Sequence, residues 1–316
     1  MDFALTEEQT TLKNEFDNFF AEEMKDAPAE FEKDTLEATY GSDECFAFHN
    51  NLQRKLADKG WLTMAWPKEY GGQDAPLIDQ LLFAESIAAH KAPGIDGFGV
   101  RMFAPAVMLF ASDEQKARIL PPIANGEVSY CQGWSEPNAG SDLASLKTTA
   151  IKDGDHYVVN GQKIWTTGAH RVDHMFLLAR TDPTEKRSRG LSVFNIEDMK
   201  APGIEVRPIH FMHGGHMYNE VYFTDLKIHE SNLIGKENDG WSQTRATMNF
   251  ERSGIGSFVS VRKSLERLVD YAKKTTRDGV ALIDKPIVRK KLAELYIDTE
   301  LGCALAYRVA WEQDKG

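Results

Sequence analysis

The chain has 316 residues, room for two or three domains, and its 42% apolar and 27% charged residues are the balance of an ordinary water-soluble globular protein. A formal net charge of −11 argues against nucleic acid as a partner, because phosphate contacts need clustered Lys and Arg. No segment approaches the roughly 20 apolar residues of a membrane span, the start Met1-Asp-Phe-Ala-Leu-Thr-Glu-Glu lacks the basic opening of a secretory signal, and Cys45, Cys131 and Cys303 are too dispersed for a CxxC zinc site or a disulfide framework. These features give the expectations of a cytosolic protein with no membrane partner, no bound metal and isolated buried thiols.

Residues 1–128 read as a helical domain. Thr6 stands before acidic residues as an N-cap, and Pro76 precedes a run in which Leu77, Leu81, Phe83, Ala84, Ile87 and Ala88 recur at helical spacing. Trp61–Gly72 and Gly94–Gly99 break the pattern, and Ser112-Asp-Glu-Gln115 opens a capped helix. Residues 129–236 change to a small antiparallel β-domain, with strands at His174–Arg180, Leu191–Ile196 and Glu220–Ile228. His156–Thr167 reads as a hairpin turning at Asn160-Gly161, a type I′ signal. Residues 237–316 return to helix: one long helix follows Asn238-Asp-Gly-Trp-Ser, and Asp278-Gly279 and Asp284-Lys-Pro286 punctuate before a second. The fold class is therefore α+β, with an N-terminal helical domain, a middle antiparallel β-barrel or sandwich, and an incomplete C-terminal helical bundle.

Three segments carry chemistry. In Tyr130-Cys-Gln-Gly-Trp-Ser-Glu-Pro-Asn-Ala-Gly-Ser-Asp142, Gly140 permits close backbone approach, and Ser141 with its flanking amides can cradle a phosphate or carbonyl; an ordinary Ser-rich turn is the plain alternative. In Asn160-Gly-Gln-Lys-Ile-Trp-Thr-Thr167, strand alternation puts Lys163, Trp165 and Thr167 on one face, where an indole can stack on a ring and a hydroxyl can bond its edge; a tryptophan that only packs the sheet is the alternative. Together they suit a planar, phosphate-bearing redox cofactor held by a β-domain. In Trp241–Phe258, Thr244, Met248, Glu251, Ile255 and Phe258 share one helical stripe. Glu251 is then a carboxylate on an apolar face, where burial raises its pKa toward that of a general base, and Arg252 could offset the shift or hold an anion; a structural Glu–Arg pair is the alternative. His210-Phe-Met-His213-Gly-Gly-His216 has metal-like spacing, but no thiol or carboxylate cluster accompanies it, which favours histidines of a connector. No Rossmann fingerprint, GxSxG, Walker A or HExxH pattern occurs.

In order and spacing, these motifs, with Trp66-Pro-Lys-Glu-Tyr-Gly-Gly72 before them and Leu233-Ile-Gly-Lys-Glu-Asn-Asp-Gly-Trp241 after, resemble the acyl-CoA dehydrogenase family over essentially the whole chain. The resemblance implies three domains, here 1–128, 129–236 and 237–316, with the last shorter by two or three helices. It implies FAD, an acyl-CoA substrate oxidised to the trans-2-enoyl-CoA, an electron-transfer flavoprotein as acceptor, and a homo- or hetero-oligomer, a dimer of dimers. By motif position, Trp165 and Thr167 would contact the isoalloxazine. Ser135 would bind its pyrimidine side, Gln132 and Trp134 would line the wall through the main chain, and Gly140 and Ser141 would lie at the flavin phosphates or the CoA portion. Glu251 would be the base, with Met248 and Arg252 toward the acyl group; other family members carry the base on a loop beyond residue 316. Arg277-Asp-Gly279 replaces a common Phe-Gly, and Trp134 replaces a smaller residue. A non-catalytic subunit of a heteromeric dehydrogenase and an oxidase-like flavoenzyme are the competing readings.

Overall fold

A computed structural model describes residues 4–185, 187–251 and 255–314, with the side chains of 248–251, 255 and 314 excepted. In chain order the elements are α1 (Glu7–Glu23), α2 (Thr35–Gly41), α3 (Asp43–Asp58), α4 (Leu77–His90), α5 (Ala104–Phe110), α6 (Asp113–Ala124), β1 (Tyr130–Gly133), β2 (Thr149–Asp153), β3 (His156–Lys163), β4 (His174–Arg180), β5 (Leu191–Ile196), β6 (Ile204–His210), β7 (His216–His229), β8 (Leu233–Ile234), α7 (Gly240–Glu251), α8 (Ile255–Lys274), β9 (Thr276–Arg277), β10 (Val280–Ala281) and α9 (Pro286–Asp314). The chain divides into two compact units.

The first unit gathers residues 1–27, 74–92 and 253–316. The cap at Thr6 is a full capping box, its hydroxyl accepting from the Gln9 amide while Gln9 reaches back, so two orphan donors of α1 are satisfied. Phe16 and Phe20 of α1 are buried against Phe83 of α4, with ring centroids 5.1 and 5.8 Å apart. Arg262 of α8 forms a two-pronged pair with Glu300 of α9 at 2.9 and 3.1 Å, and Tyr307 donates to Glu85 of α4 at 2.7 Å. A single long helix after Asn238 is described as α7 and α8, with 252–254 between them outside the described residues.

The second unit comprises residues 28–73 and 93–252. Its sheet runs β6-β7-β3-β2-β4-β5-β8, antiparallel except that β4 pairs parallel with β1 and, at one position, with β2. The faces of the two halves meet across a core in which Tyr157 of β3 lies edge-on to Phe194 of β5 at 4.9 Å, among Met175, Leu177, Val221 and Phe223. The helix start expected at Ser112 is a second capping box, with Gln115.

The hairpin is corrected. Its turn lies at Asp153-Gly154-Asp155, where Gly154 takes φ +62°, so that β2 pairs with β3 from Asp153↔His156 onward. Asn160-Gly161 instead falls inside β3, at a bulge where the register against β7 shifts. Gly161 has φ +149°, and a Cβ there would stand 2.5 Å from Thr148 Oγ1, so both backbone and space require glycine.

Candidate active site

A buried ion pair organises the corner that holds most of the singled-out residues. Lys163, the last residue of β3, is fully buried; its Nζ donates to the Trp134 carbonyl at 2.9 Å and to Glu136 Oε1 at 3.0 Å. Glu136 accepts two further bonds, from the amides of Lys147 at 2.7 Å and Thr148 at 2.8 Å. One carboxylate thus closes the loop 136–148 at both ends and ties it to β3. Burial pulls the Lys163 pKa down to about 8 against the opposing pull of Glu136. Burial works to raise Glu136, but the Lys163 charge and the Thr148 and Lys147 donors outweigh it, leaving its pKa below the ordinary carboxylate value. At the loop's start, the amides of Glu136 and Ala139 each donate to the other residue's carbonyl, at 2.9 and 3.0 Å.

Ser135, half-buried, gives its carbonyl to the Ile164 amide at 2.9 Å, which brings the loop alongside the segment after β3. Gly140 and Ser141 lie exposed farther along the loop, and a Cβ on Gly140 would meet no atom within 4 Å. Gln132 lies in β1 and Trp134 directly follows the strand; Trp134 is buried, and the Gln132 Nε2 and Trp134 Nε1 atoms find no acceptor among the described residues.

The alternation expected for Lys163, Trp165 and Thr167 does not continue past β3. Trp165 takes φ +61°, a left-handed backbone that costs a bulky residue on the order of 1–3 kcal/mol. The chain pivots there: Thr166 and Thr167 are both buried, whereas Trp165 is 57% exposed, edge-on to Tyr218 at 6.1 Å. Beyond the pivot the chain is fixed again on β7. Thr166 and Asn219 exchange amide–carbonyl bonds at 3.0 and 3.1 Å, and the buried Asn219 side chain adds a bond to the Thr166 carbonyl at 2.9 Å. Gly168 at φ +71° then packs so closely on the Tyr40 ring that a Cβ would fall 2.3 Å from it. The open indole is therefore gripped on both sides, by the ion pair before it and by Asn219 after it.

The helical stripe is described in part. Thr244 is buried, with its hydroxyl donating to the Gly240 carbonyl at 2.8 Å. Glu251 closes α7 on its backbone; its side chain and that of Met248 lie outside the described residues, as does Arg252 altogether. Phe258 is partly open, at 37% exposure.

The spaced histidines take separate partners: His213 bonds Glu37 at 2.7 Å, and His216 bonds Asn219 at 2.9 Å while stacking on His170 with centroids 4.0 Å apart. Burial lowers His170 to about 4. Among the described residues no group of three or more metal-ligating side chains could hold an ion, and no helix is long and apolar enough to cross a membrane. The three cysteines are buried thiols.

Sequence reasoning missed Glu136, Asn219 and His170, and it placed Lys163 on a cofactor face where the structure buries it in an ion pair. The pair left no signal in the sequence, because Lys163 ends the polar run Asn160-Gly-Gln-Lys163, which reads as a solvated strand end, and its partner lies 27 residues back.

Comparison with known proteins agrees with this architecture. The acyl-CoA dehydrogenase N-terminal, middle and C-terminal domains match residues 6–127, 131–226 and 238–316. Acyl-CoA dehydrogenase FadE29 of Mycobacterium tuberculosis is 35% identical over 308 residues, spanning 97% of this chain and 76% of that protein. A chain of the ChsE4-ChsE5 complex from Mycobacterium tuberculosis superposes with a TM-score of 0.86 at 33% identity, covering all of this chain (100%) and 79% of the other. The Tcur3481-Tcur3483 steroid ACAD gives 0.87 at 29% identity, covering 100% and 78%. The chain belongs to the acyl-CoA dehydrogenase family, a family of oxidoreductases.

Proposed function

We propose that the protein is an FAD-dependent dehydrogenase that removes hydrogen across the α,β-bond of an acyl-CoA thioester, giving the trans-2-enoyl-CoA, with an electron-transfer flavoprotein as acceptor. The observation that carries this reading is the Trp165 indole, held open in a strained backbone conformation between two rigid anchors. An apolar ring is exposed at such a cost where a flat ligand is to cover it. The Gln132 and Trp134 donors, which find no acceptor among the described residues, fit the same group, since buried polar atoms require partners.

In this reading Trp165 offers the face and Thr167 the edge contact, Ser135 reaches the polar end of the ring system, and Gly140 and Ser141 leave room and donors for phosphates. Gln132 and Trp134 form the wall. When bound, the flavin supplies the two-electron acceptor that the reaction needs. Glu251, at the end of α7, takes the α-proton of the thioester, whose acidity rises when backbone donors hold the carbonyl oxygen. The same reading assigns Met248 to the acyl group and Arg252 to the substrate, both side chains lying outside the described residues. Rigid anchoring on both sides of Trp165 favours a fixed reacting geometry, which lowers the barrier without new chemistry.

A second reading, a subunit that supports a catalytic partner, draws on the two-protein ChsE4-ChsE5 complex among the structural neighbours. The deciding experiment measures flavin per chain in the purified protein and then follows its visible absorbance anaerobically during titration with straight-chain, branched and ring-bearing acyl-CoAs. One flavin per chain and bleaching by at least one thioester is expected. A flavin-free protein, or a flavin that no thioester bleaches, favours the supporting-subunit reading.

A further inference from the structure

The side-chain amide of the fully buried Asn219 has one possible orientation. Its Nδ2 lies 2.9 Å from the Thr166 carbonyl and 3.4 Å from that of Met217, and carbonyls only accept, so Nδ2 is the NH2 end and Oδ1 the acceptor. The same NH2 stands 3.1 Å from His170 Nδ1, and Oδ1 stands 2.9 Å from His216 Nε2. At the far side of its ring, His170 Nε2 is 3.0 Å from the Tyr40 carbonyl. One protonation pattern satisfies every contact. His170 accepts from Asn219 at Nδ1 and donates from Nε2 to Tyr40, while His216 donates from Nε2 to Asn219. The other neutral form of His170 would set donor against donor at Asn219 and lone pair against lone pair at Tyr40, and the charged form keeps the first of these conflicts.

The groups around the ring oppose a charge there. His216 stacks on it with centroids 4.0 Å apart, and exposed His210 stands 5.3 Å beyond His216. Arg171 donates from Nε to the same Tyr40 carbonyl at 2.6 Å and pairs at its other end with Asp43; Glu37, on the same helix as Tyr40, bonds His213. Burial is the largest cause of the lowered His170 pKa, and the charges of His216 and Arg171 add to it. His170 is therefore neutral wherever Asn219 holds the Thr166 carbonyl. That hold matters locally, because Trp165 at φ +61° is strained and relaxes unless its neighbours are fixed.

We infer that His170 is a positioning residue of the candidate site: neutral and protonated on Nε2, it locks the Asn219 amide, and through the Thr166 carbonyl it fixes the peptide on which Trp165 and Thr167 stand. Its bearing on flavin rests on the dehydrogenase reading above; the lock itself does not. A proton added at Nδ1 meets the Asn219 NH2, so the amide must turn away and release the Thr166 carbonyl. The locked segment takes this proton only near pH 4 and the released segment near 6.5, so the lock is complete above 6.5 and is lost as pH falls through that window.

The test follows hydrogen exchange of the Thr166 and Gly168 amides, which are bonded to the Asn219 and Met217 carbonyls of β7, between pH 8 and pH 5 with the intrinsic rate divided out. Flavin affinity at pH 8 is measured alongside, in the native protein, His170→Asn and His170→Leu. His170→Asn keeps an acceptor where Nδ1 stood and does not titrate; His170→Leu keeps none and leaves a buried donor unbonded. The native segment should lose about tenfold or more of its protection by pH 5, and His170→Asn should lose none. His170→Leu should bind flavin about tenfold more weakly, and His170→Asn should stay within about threefold of native. Native protection unchanged across the pH range overturns the inference even if neither variant folds. So does an acid loss that persists in His170→Asn, which would assign the proton to His210, His213 or His216, or a loss no larger than in peptides around His49, which would report global opening. Native flavin affinity in His170→Leu also overturns it, since the network is then structural alone. A native protein that takes up no flavin removes the dehydrogenase reading and the role in the site with it; normal flavin uptake with a flat exchange profile removes this inference alone.

Discussion

Trp165 couples strain to a role. Its φ of +61° means that glycine would fit the backbone better than the residue present. Trp165→Gly is therefore expected to leave stability unchanged or raise it by about 1 kcal/mol in urea unfolding, while weakening flavin retention tenfold or more. Lost stability together with unchanged flavin would make the indole a packing residue. Lys163 carries the opposite expectation. Lys163→Met leaves the Glu136 carboxylate buried beside an unbonded Trp134 carbonyl and should cost about 3 kcal/mol. The double variant Lys163→Met, Glu136→Gln should recover part of that loss in the same unfolding measurement, because no charge is then stranded.

Among the elements, the capped starts at Thr6 and Ser112 and the helix after Pro76 were legible in the sequence, since caps and proline act locally. The β2–β3 turn was not. Asp153-Gly154 and Asn160-Gly161 are equivalent turn signals, and only pairing decides between them: turning at the first gives β2 a full-length partner, and Gly161 then absorbs the bulge. The same limit hid the pivot at Trp165, because alternation from Tyr157 and Val159 predicts a face but not where the strand ends. The connection from α3 to the turn at Gly94 has a consequence in pH. Buried His49 accepts from the Gly94 amide through Nδ1 at 3.0 Å, and burial lowers its pKa to about 4. The unfolded chain binds this proton near pH 6.5 and the folded chain only near 4, so stability is complete above 6.5 and is lost as pH falls through that window. Two and a half pH units correspond to about 3 kcal/mol. Thermal unfolding followed from pH 7 to pH 4 should show that fall, and His49→Gln should flatten it.

For the whole molecule, order and spacing of motifs identified the three-part α+β family, because the glycine-rich loop, the Lys-Ile-Trp-Thr-Thr strand end and the helix after Asn238 are each short and local in sequence. What joins them was not legible: the Lys163–Glu136 pair, the Asn219 clamp and the ring contacts of Phe103, Phe176 and Trp134 link positions far apart along the chain. The base belongs to this scale, since Glu251 can act only if the β-rich sheet and α7 serve one substrate. Anaerobic rapid mixing of Glu251→Gln with an acyl-CoA that bleaches the native flavin tests that directly. The variant is expected to retain its flavin and its thioester affinity while flavin reduction slows by about a thousandfold or more, as loss of an acid–base group requires. Reduction at the native rate by a flavin-loaded Glu251→Gln protein would contradict the assignment of the proton to this residue.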